Sequence, residues 1–373
     1  MQTNVQDDWY VINDIDSLPT PALVIYPDRV KNNIDKLLEM AGSVSKLRPH
    51  IKTCKSPEAI SRMLEAGIYK FKCATIAEAE LLGSLGVLDV LLAYQPVGPN
   101  IHRFITLIKE FPTTTFSCLV DSAAIAQQLD EQASRNNISI NCYIDVNVGM
   151  NRTGTPVNKV LGLAADCNSL PHIKLIGLHC YDGHIHEASL DERKKRCDAY
   201  FPEIDQLIDQ LNDHYADSFS IVAGGSPTFP IHVKKSNVTC SPGTFIFWDK
   251  GYGDLLAEQK FLPAALVITR VIAIIDDYKL CFDLGHKAIA AENELSKRVF
   301  FINAPQAKAI AHSEEHLVVA FPSKHTHAIG DIFYGIPYHI CPTVALYDEA
   351  YAVIDKHQQN NWHITARKRK ITI

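Results

Sequence analysis

No stretch of this 373-residue chain stays apolar over the about 20 residues needed to cross a bilayer. Its first residues, MQTNVQDDWYVINDIDSLPTP, are acidic and lack the basic and apolar regions of a secretory signal. No membrane partner is therefore expected, and a cytoplasmic location is. Basic residues are not in excess either: 36 lysines and arginines against 42 aspartates and glutamates give a formal net charge of -6. That balance argues against a nucleic-acid partner, which would demand a basic face. The short RKRK at residues 367–370 reads as a solvated tail. No CxxC pair occurs among the ten cysteines. Cys73, Cys118, Cys142 and Cys180 fall in or beside apolar strand-like runs, where a thiol behaves as a small hydrophobe. A disulfide framework is not expected. Internal repeats and low-complexity segments are also missing.

What is present is an alternation. Between about residue 45 and residue 250, short β-rich runs (KLRPHIKT, FKCAT, VLLAYQ, TTFSCLV, INCYIDVN, KLIGLHCYDG, FSIVAGG, NVTCSPG) are separated by segments with helical spacing, such as IAEAELLGSLG and SAAIAQQLDEQASRN. Eight strands with intervening helices predict an α/β fold, a parallel (β/α)8 barrel of the TIM type, with an open doubly wound sheet as the alternative. From about residue 262 the helical pattern fades. The runs AALVITRVIAIIDDYKLCFDLG, RVFFINA, HLVVAF and YHICPTVALYDEAYAVID predict strands of a mainly antiparallel β domain. The expected division is a barrel over residues 26–255 and a β domain made of residues 1–25 with 256–373.

In a parallel barrel the active site gathers at the carboxyl ends of the strands. Strand alternation puts Arg48, His50 and Lys52 on one face of KLRPHIKT, with Lys52 at its end. An unpaired ammonium there is costly, so the lysine is either ion-paired or used chemically. Two glycine-rich turns, VAGGSPT (Gly224, Gly225, Ser226) and SPGTF (Gly243, Thr244), end late strands. There, backbone N–H groups can close around an anion such as a phosphate. A strand-end lysine together with such a handle suits a Schiff-base cofactor carrying a phosphate. His179 and Tyr181 share a strand face towards the mouth, and GMNRTG delivers Arg152, a fixed cation. His339 and Cys341 flank one residue of an expected strand and project to the same side. Imidazole with thiolate suits zinc, although a packed core pair would look the same.

The motifs TPALVIY, RPHIKT, GMNRTG, YDGH, GGSPT, PGTFIFWD, SEEH and HICPTV occur in the order seen in the D-threonine aldolase and D-serine dehydratase family. The chain resembles these fold-type III pyridoxal phosphate enzymes, whose barrel is like that of alanine racemase, from Thr20 to about Ala366. The resemblance implies that Lys52 is the covalent attachment point of pyridoxal 5′-phosphate and the catalytic base. It implies that His50 and Arg152 bind the cofactor, that Tyr181, catalytic together with Lys52, lies against its ring, and that Gly224, Gly225, Ser226, Gly243 and Thr244 hold its phosphate. His339 and Cys341 would hold a divalent metal, zinc in the dehydratase form, with Glu314, Glu315 and His316 in support. The implied activity is that of a lyase on a β-hydroxy D-amino acid. D-serine dehydratase stands first, D-threonine aldolase second and an amino-acid racemase third. A homodimer is implied as well. In two places the chain departs from the pattern, with Cys54 where histidine is usual and Phe245 where tyrosine is.

Overall fold

The computed structural model describes residues 8–215 and 218–373. The chain divides into two compact units. Of the described residues, one comprises 35–52, 60–245 and 368–373, the other 8–34, 53–59 and 246–367. Four stretches fall differently from the expected 26–255 boundary, the first being residues 26–34, which lie in the β unit. Residues 53–59 and 246–255 join the β unit, and the C-terminal six residues join the barrel unit. That tail is anchored: the Thr372 amide donates to Glu80 at 2.8 Å, and the Arg103 guanidinium donates to the Ile373 carbonyl at 2.8 Å. Lys368, Arg369 and Lys370 remain exposed, although the Arg103 guanidinium also donates to the Arg369 carbonyl at 3.1 Å.

In the barrel unit the strands Lys70–Cys73, Asp89–Leu92, Thr115–Val120, Ile140–Asn147, Ile173–Cys180, Ser220–Ala223 and Val238–Cys240 pair in parallel in chain order. The eighth stave is the segment around His50. Arg48 N donates to Cys240 O at 2.8 Å and His50 N to Pro242 O at 3.0 Å, on the side of the last strand. Lys72 N donates to Pro49 O at 2.9 Å and Ile51 N to Lys72 O at 3.0 Å, on the side of the first. The segment therefore closes the sheet, yet it forms only isolated bridges, Leu47 with Cys240 and His50 with Lys72. Pro49 has no N–H to give a ladder, which limits regular pairing here. At its start Arg48, 2% exposed, holds Asp89 in a two-bonded pair, both contacts at 2.7 Å.

The barrel interior follows from alternation along each strand. Leu91, Leu119, Tyr143 and Val222 fill one inner layer, while the outward residues meet helices. The helix Ile76–Ser84 starts at a side-chain cap. The Thr75 hydroxyl accepts from Glu78 N at 3.1 Å, and the Glu78 carboxylate accepts from Ala74 N at 2.6 Å, so two orphan donors at the helix start are met.

The β unit is a nine-stranded sheet with the central order Leu317–Ala320, Lys279–Phe282, Ala265–Asp276, Ala22–Ile25, Glu349–Ile354 and His357–His363. Pairings are antiparallel except that of Ala22–Ile25 with Glu349–Ile354. The sequence reading needs correction at HICPTV. The strand Ile332–Pro337 ends first, and Ile340–Val344 is a short helix with His339 at its N-cap. Pro342 explains the change: its fixed φ and missing N–H suit a helix's first turn and spoil a strand.

Candidate active site

Lys52 follows the closing stave, just past the point where His50 bridges Lys72. His50, Lys52, Lys72, Ala74, Ala93, Arg152, His179 and Tyr181 line one cavity in the barrel unit. Its empty space, mouth included, is about 410 Å³. The Tyr181 ring centroid is 5.1 Å from the Arg152 guanidinium and 5.3 Å from the Lys72 ammonium. Two cations thus lie within cation–π reach of one aromatic ring.

The two glycine turns are tied together. Gly243 N donates to Ser226 Oγ at 3.4 Å, and Ser241 N donates to Gly224 O at 2.9 Å. Gly224 has φ +78°, a left-handed conformation that favours glycine. A Cβ on Gly225 would stand 3.3 Å from Tyr181 Cε2, a tight contact that would require the ring to give by a few tenths of an ångström. The structure thus gathers His50, Lys52, Arg152 and Tyr181 in the cavity lining and sets Gly225 against Tyr181, with Gly224, Ser226 and Gly243 in the linked turns. Thr244, buried, opens the 3-10 turn that follows. A primary amine, fixed cations and a glycine anion cradle form a donor set that fits pyridoxal 5′-phosphate.

Beneath this lining lies a layer that the sequence reading had not assembled. His179 Nδ1 pairs with Asp145 Oδ1 at 2.6 Å, and His179 Nε2 with Lys72 Nζ at 2.9 Å. All three are buried. His179 was recognised as facing the mouth, whereas Lys72 and Asp145 looked like ordinary residues of short strands.

A second buried cluster joins Asp182, Cys197 and His232, the one group of three metal-capable side chains drawn within 4.8 Å among the described residues. Its donors are engaged with one another. His232 Nε2 meets Asp182 Oδ2 at 2.8 Å, Tyr200 contacts both at 3.1 and 3.2 Å, and Thr228 donates to Asp182 Oδ1 at 2.8 Å. Thr228 ties this network to the turn from Gly225 to Thr228, while His232 Nδ1 is buried without a hydrogen-bond partner.

In the β unit, the N-cap geometry of His339 and the following helical turn bring the His339 imidazole into hydrogen bonding with the Cys341 thiol. Glu292 bonds His339 Nδ1, and Thr53 Oγ1 lies 3.1 Å from Cys341 Sγ. Burial disfavours the charged imidazole, but Cys341, Asp249 and Glu292 outweigh it and raise its pKa to about 9. An environment that stabilises positive charge, with one nitrogen and one sulfur donor and a carboxylate orienting the imidazole, fits a zinc-type ion. Glu292 was not anticipated. Glu314 and Glu315 instead pair with Lys287 in exposed positions.

The sequence matches two family models in tandem: "alanine racemase, N-terminal domain" over residues 25–250 and "putative serine dehydratase domain" over residues 264–353. The first spans more than half of the chain, and the protein belongs to that family. Curated relatives include the D-threonine aldolase of Arthrobacter sp., 26% identical over 86% of this chain and 85% of that protein. Another is the 3-hydroxy-D-aspartate aldolase of Paracoccus denitrificans (strain Pd 1222), 24% identical over 95% and 93%. Among solved structures, the D-threo-3-hydroxyaspartate dehydratase of Delftia sp. HT23 superposes with a TM-score of 0.82, at 21% identity over 94% and 98% of the two chains. That dehydratase has also been solved as a histidine-to-alanine mutant and as a cysteine-to-alanine mutant in the metal-free form, the two positions being two residues apart.

Proposed function

We propose that the protein is a pyridoxal 5′-phosphate- and metal-dependent lyase acting on a β-hydroxy D-amino acid, and that its reaction is the dehydration of D-serine to pyruvate and ammonia. The lyase class is supported by the family membership and by the activities of the curated relatives, all of which are aldolases or dehydratases. The observation that carries the reading is the cavity that holds Lys52 beside an aromatic ring within reach of two cations and two hydrogen-bonded glycine turns. Bound there, the cofactor supplies an electron sink for charge developing at the substrate's α-carbon. Lys52 supplies the primary amine that the cofactor's aldehyde requires and, when free, the base for the α-proton. Arg152 binds a ring or carboxylate oxygen, and Gly224, Gly225, Ser226, Gly243 and Thr244 hold the phosphate. His339 and Cys341 would hold a divalent metal, zinc by their chemistry, and it would supply Lewis acidity.

The choice of dehydratase rests on Cys341, because the metal-binding dehydratase carries a histidine and a cysteine at the same spacing. The aldolase reading is favoured by a different observation: the two relatives matched over most of their length are aldolases. A racemase would leave His339 and Cys341 without a role. We place the enzyme in the cytoplasm as a homodimer with no membrane or nucleic-acid partner. In support, no helix among the described residues is long and apolar enough to cross a membrane, and the net charge is -6.

The test is release of pyruvate from D-serine, with and without a chelator, beside release of glycine from D-threonine on the same preparation. Pyruvate formation that the chelator abolishes and zinc restores is the expected result. Glycine and acetaldehyde from D-threonine with no pyruvate from D-serine would make the protein an aldolase. Pyruvate formation indifferent to thorough metal removal would refute the metal's part.

A further inference from the structure

Lys72 is 4% exposed and reaches the same cavity as Lys52. Buried lysines ordinarily pair with carboxylates. Here the hydrogen-bond partner is an imidazole nitrogen, His179 Nε2, at 2.9 Å. The far side of that ring fixes its tautomer. His179 Nδ1 faces the Asp145 carboxylate at 2.6 Å, so Nδ1 carries the hydrogen and Nε2 presents its lone pair to Lys72. Asp145, His179 and Lys72 thus stand in the order of an acid–imidazole–nucleophile triad, with an amine in the last place. One N–H of Lys72 is spent on His179. The rest of the amine faces the cavity, which is an arrangement for handling protons rather than for neutralising a charge.

We propose that Lys72 is a second proton-transfer residue of this site, an amine oriented by His179 and Asp145 that exchanges a proton with the substrate. The proposal rests on the lyase reading above. When the Lys72 ammonium gives up a proton, the neutral amine keeps its N–H bond to His179. The reverse transfer restores the ammonium, so nothing is consumed. Electrostatics agree with the geometry. Burial, then Lys52, lowers the Lys72 pKa to about 7, with Asp145 and Asp182 opposing and Arg152 adding to the decrease. Burial and the Lys72 charge also lower the pKa of His179, which keeps the ring neutral and accepting. The groups facing Lys72 are therefore Lys52 from the closing stave, Asp145 and His179 from neighbouring strands, and Arg152, Tyr181 and Asp182 from the loops beyond.

Two measurements on the holoenzyme test this. In protein labelled with [ε-13C]lysine, the Lys72 resonance, assigned by its loss in Lys72→Met, should titrate near neutral pH, far below the other lysines. In D2O, solvent exchange of the α-protons of glycine, followed by NMR, should slow by about 100-fold or more in Lys72→Arg and Lys72→Met. Arginine keeps the cation but cannot release a proton. Both variants should retain the wild-type absorbance of bound cofactor. A Lys72 resonance that titrates with the bulk lysines, undiminished exchange in both variants, or loss of bound cofactor in both would overturn the proposal. Wild-type enzyme that exchanges no α-proton would overturn the lyase reading, and this proposal with it.

Discussion

Asp182 directly follows Tyr181 in the chain, and it lies 1% exposed under the glycine turn. Burial alone would raise its pKa. Hydrogen bonds and charge from His232, Thr228 and Tyr200 outweigh that, and the net shift is downward. In the unfolded chain an aspartate titrates near 3.9, so the stabilisation is fully present above about pH 4 and is lost as pH falls through the lower folded value. Asp182→Asn should therefore destabilise the protein at neutral pH by roughly 3–5 kcal/mol, the cost of breaking a buried pair. The difference from wild type should shrink at pH 3. Urea midpoints at both pH values provide the check, and a gap that does not change with pH would show that the carboxylate's charge is not what matters. At this scale the sequence showed the residues that sit at strand ends or in glycine turns, such as Lys52, Arg152 and Gly225, because position alone announces them. Lys72, Asp145 and Glu292 went unseen because their meaning lies in partners far away in the chain. No local pattern distinguishes Lys72 in FKCAT from a solvated strand lysine.

Among the elements, the strand Ile173–Cys180 carries the sharpest constraint. Its register with Ile140–Asn147 slips between the pairs Cys142–Leu175 and Tyr143–Gly177, a bulge at Ile176. Gly177 then lies so close to the next strand that a Cβ would stand 2.0 Å from the Ser220 carbonyl oxygen and 2.8 Å from Tyr143 Cε1. The carbonyl belongs to the backbone and cannot swing away. Gly177→Ala should cost about 1–3 kcal/mol and, by shifting the strand that bears His179 and leads into Tyr181, should weaken cofactor binding. Thermal melts and cofactor titration would measure both, and an unaltered melting temperature would mean that the strand pair relaxes freely. The eight staves were legible from alternation between β-rich and helical runs. The irregular pairing of the first was not, because Pro49 leaves its apolar pattern intact while removing a donor. The same blindness applied to HICPTV: β-type residues surround Pro342, yet its backbone favours a helical turn, and His339 and Cys341 meet through that turn rather than across a pleat.

For the whole molecule, the exposed end of the strand Ala265–Asp276 needs an account. Ile272, Ile274, Ile275 and Tyr278 are 41%, 47%, 51% and 50% exposed. Regular alternation would bury one of each neighbouring pair, but the pairing with Lys279–Phe282 shifts register between Ile274 and Asp276, and both Ile274 and Ile275 face solvent. A projecting apolar hairpin is a site for unwanted strand association unless something covers it. A second copy of the chain is the simplest cover, since a two-fold axis buries the same patch on both subunits at once. If the enzyme is a homodimer through this face, light scattering should give twice the 41.5 kDa chain mass. Joint replacement Ile274→Glu and Ile275→Glu, which sets like charges against each other across the axis, should then give a folded monomer with wild-type circular dichroism. A double variant that stays dimeric would move the interface elsewhere, and a monomeric wild type would remove the dimer altogether. Sequence periodicity marked these isoleucines only as strand residues, because exposure at a bulge depends on the register adopted by the partner strand.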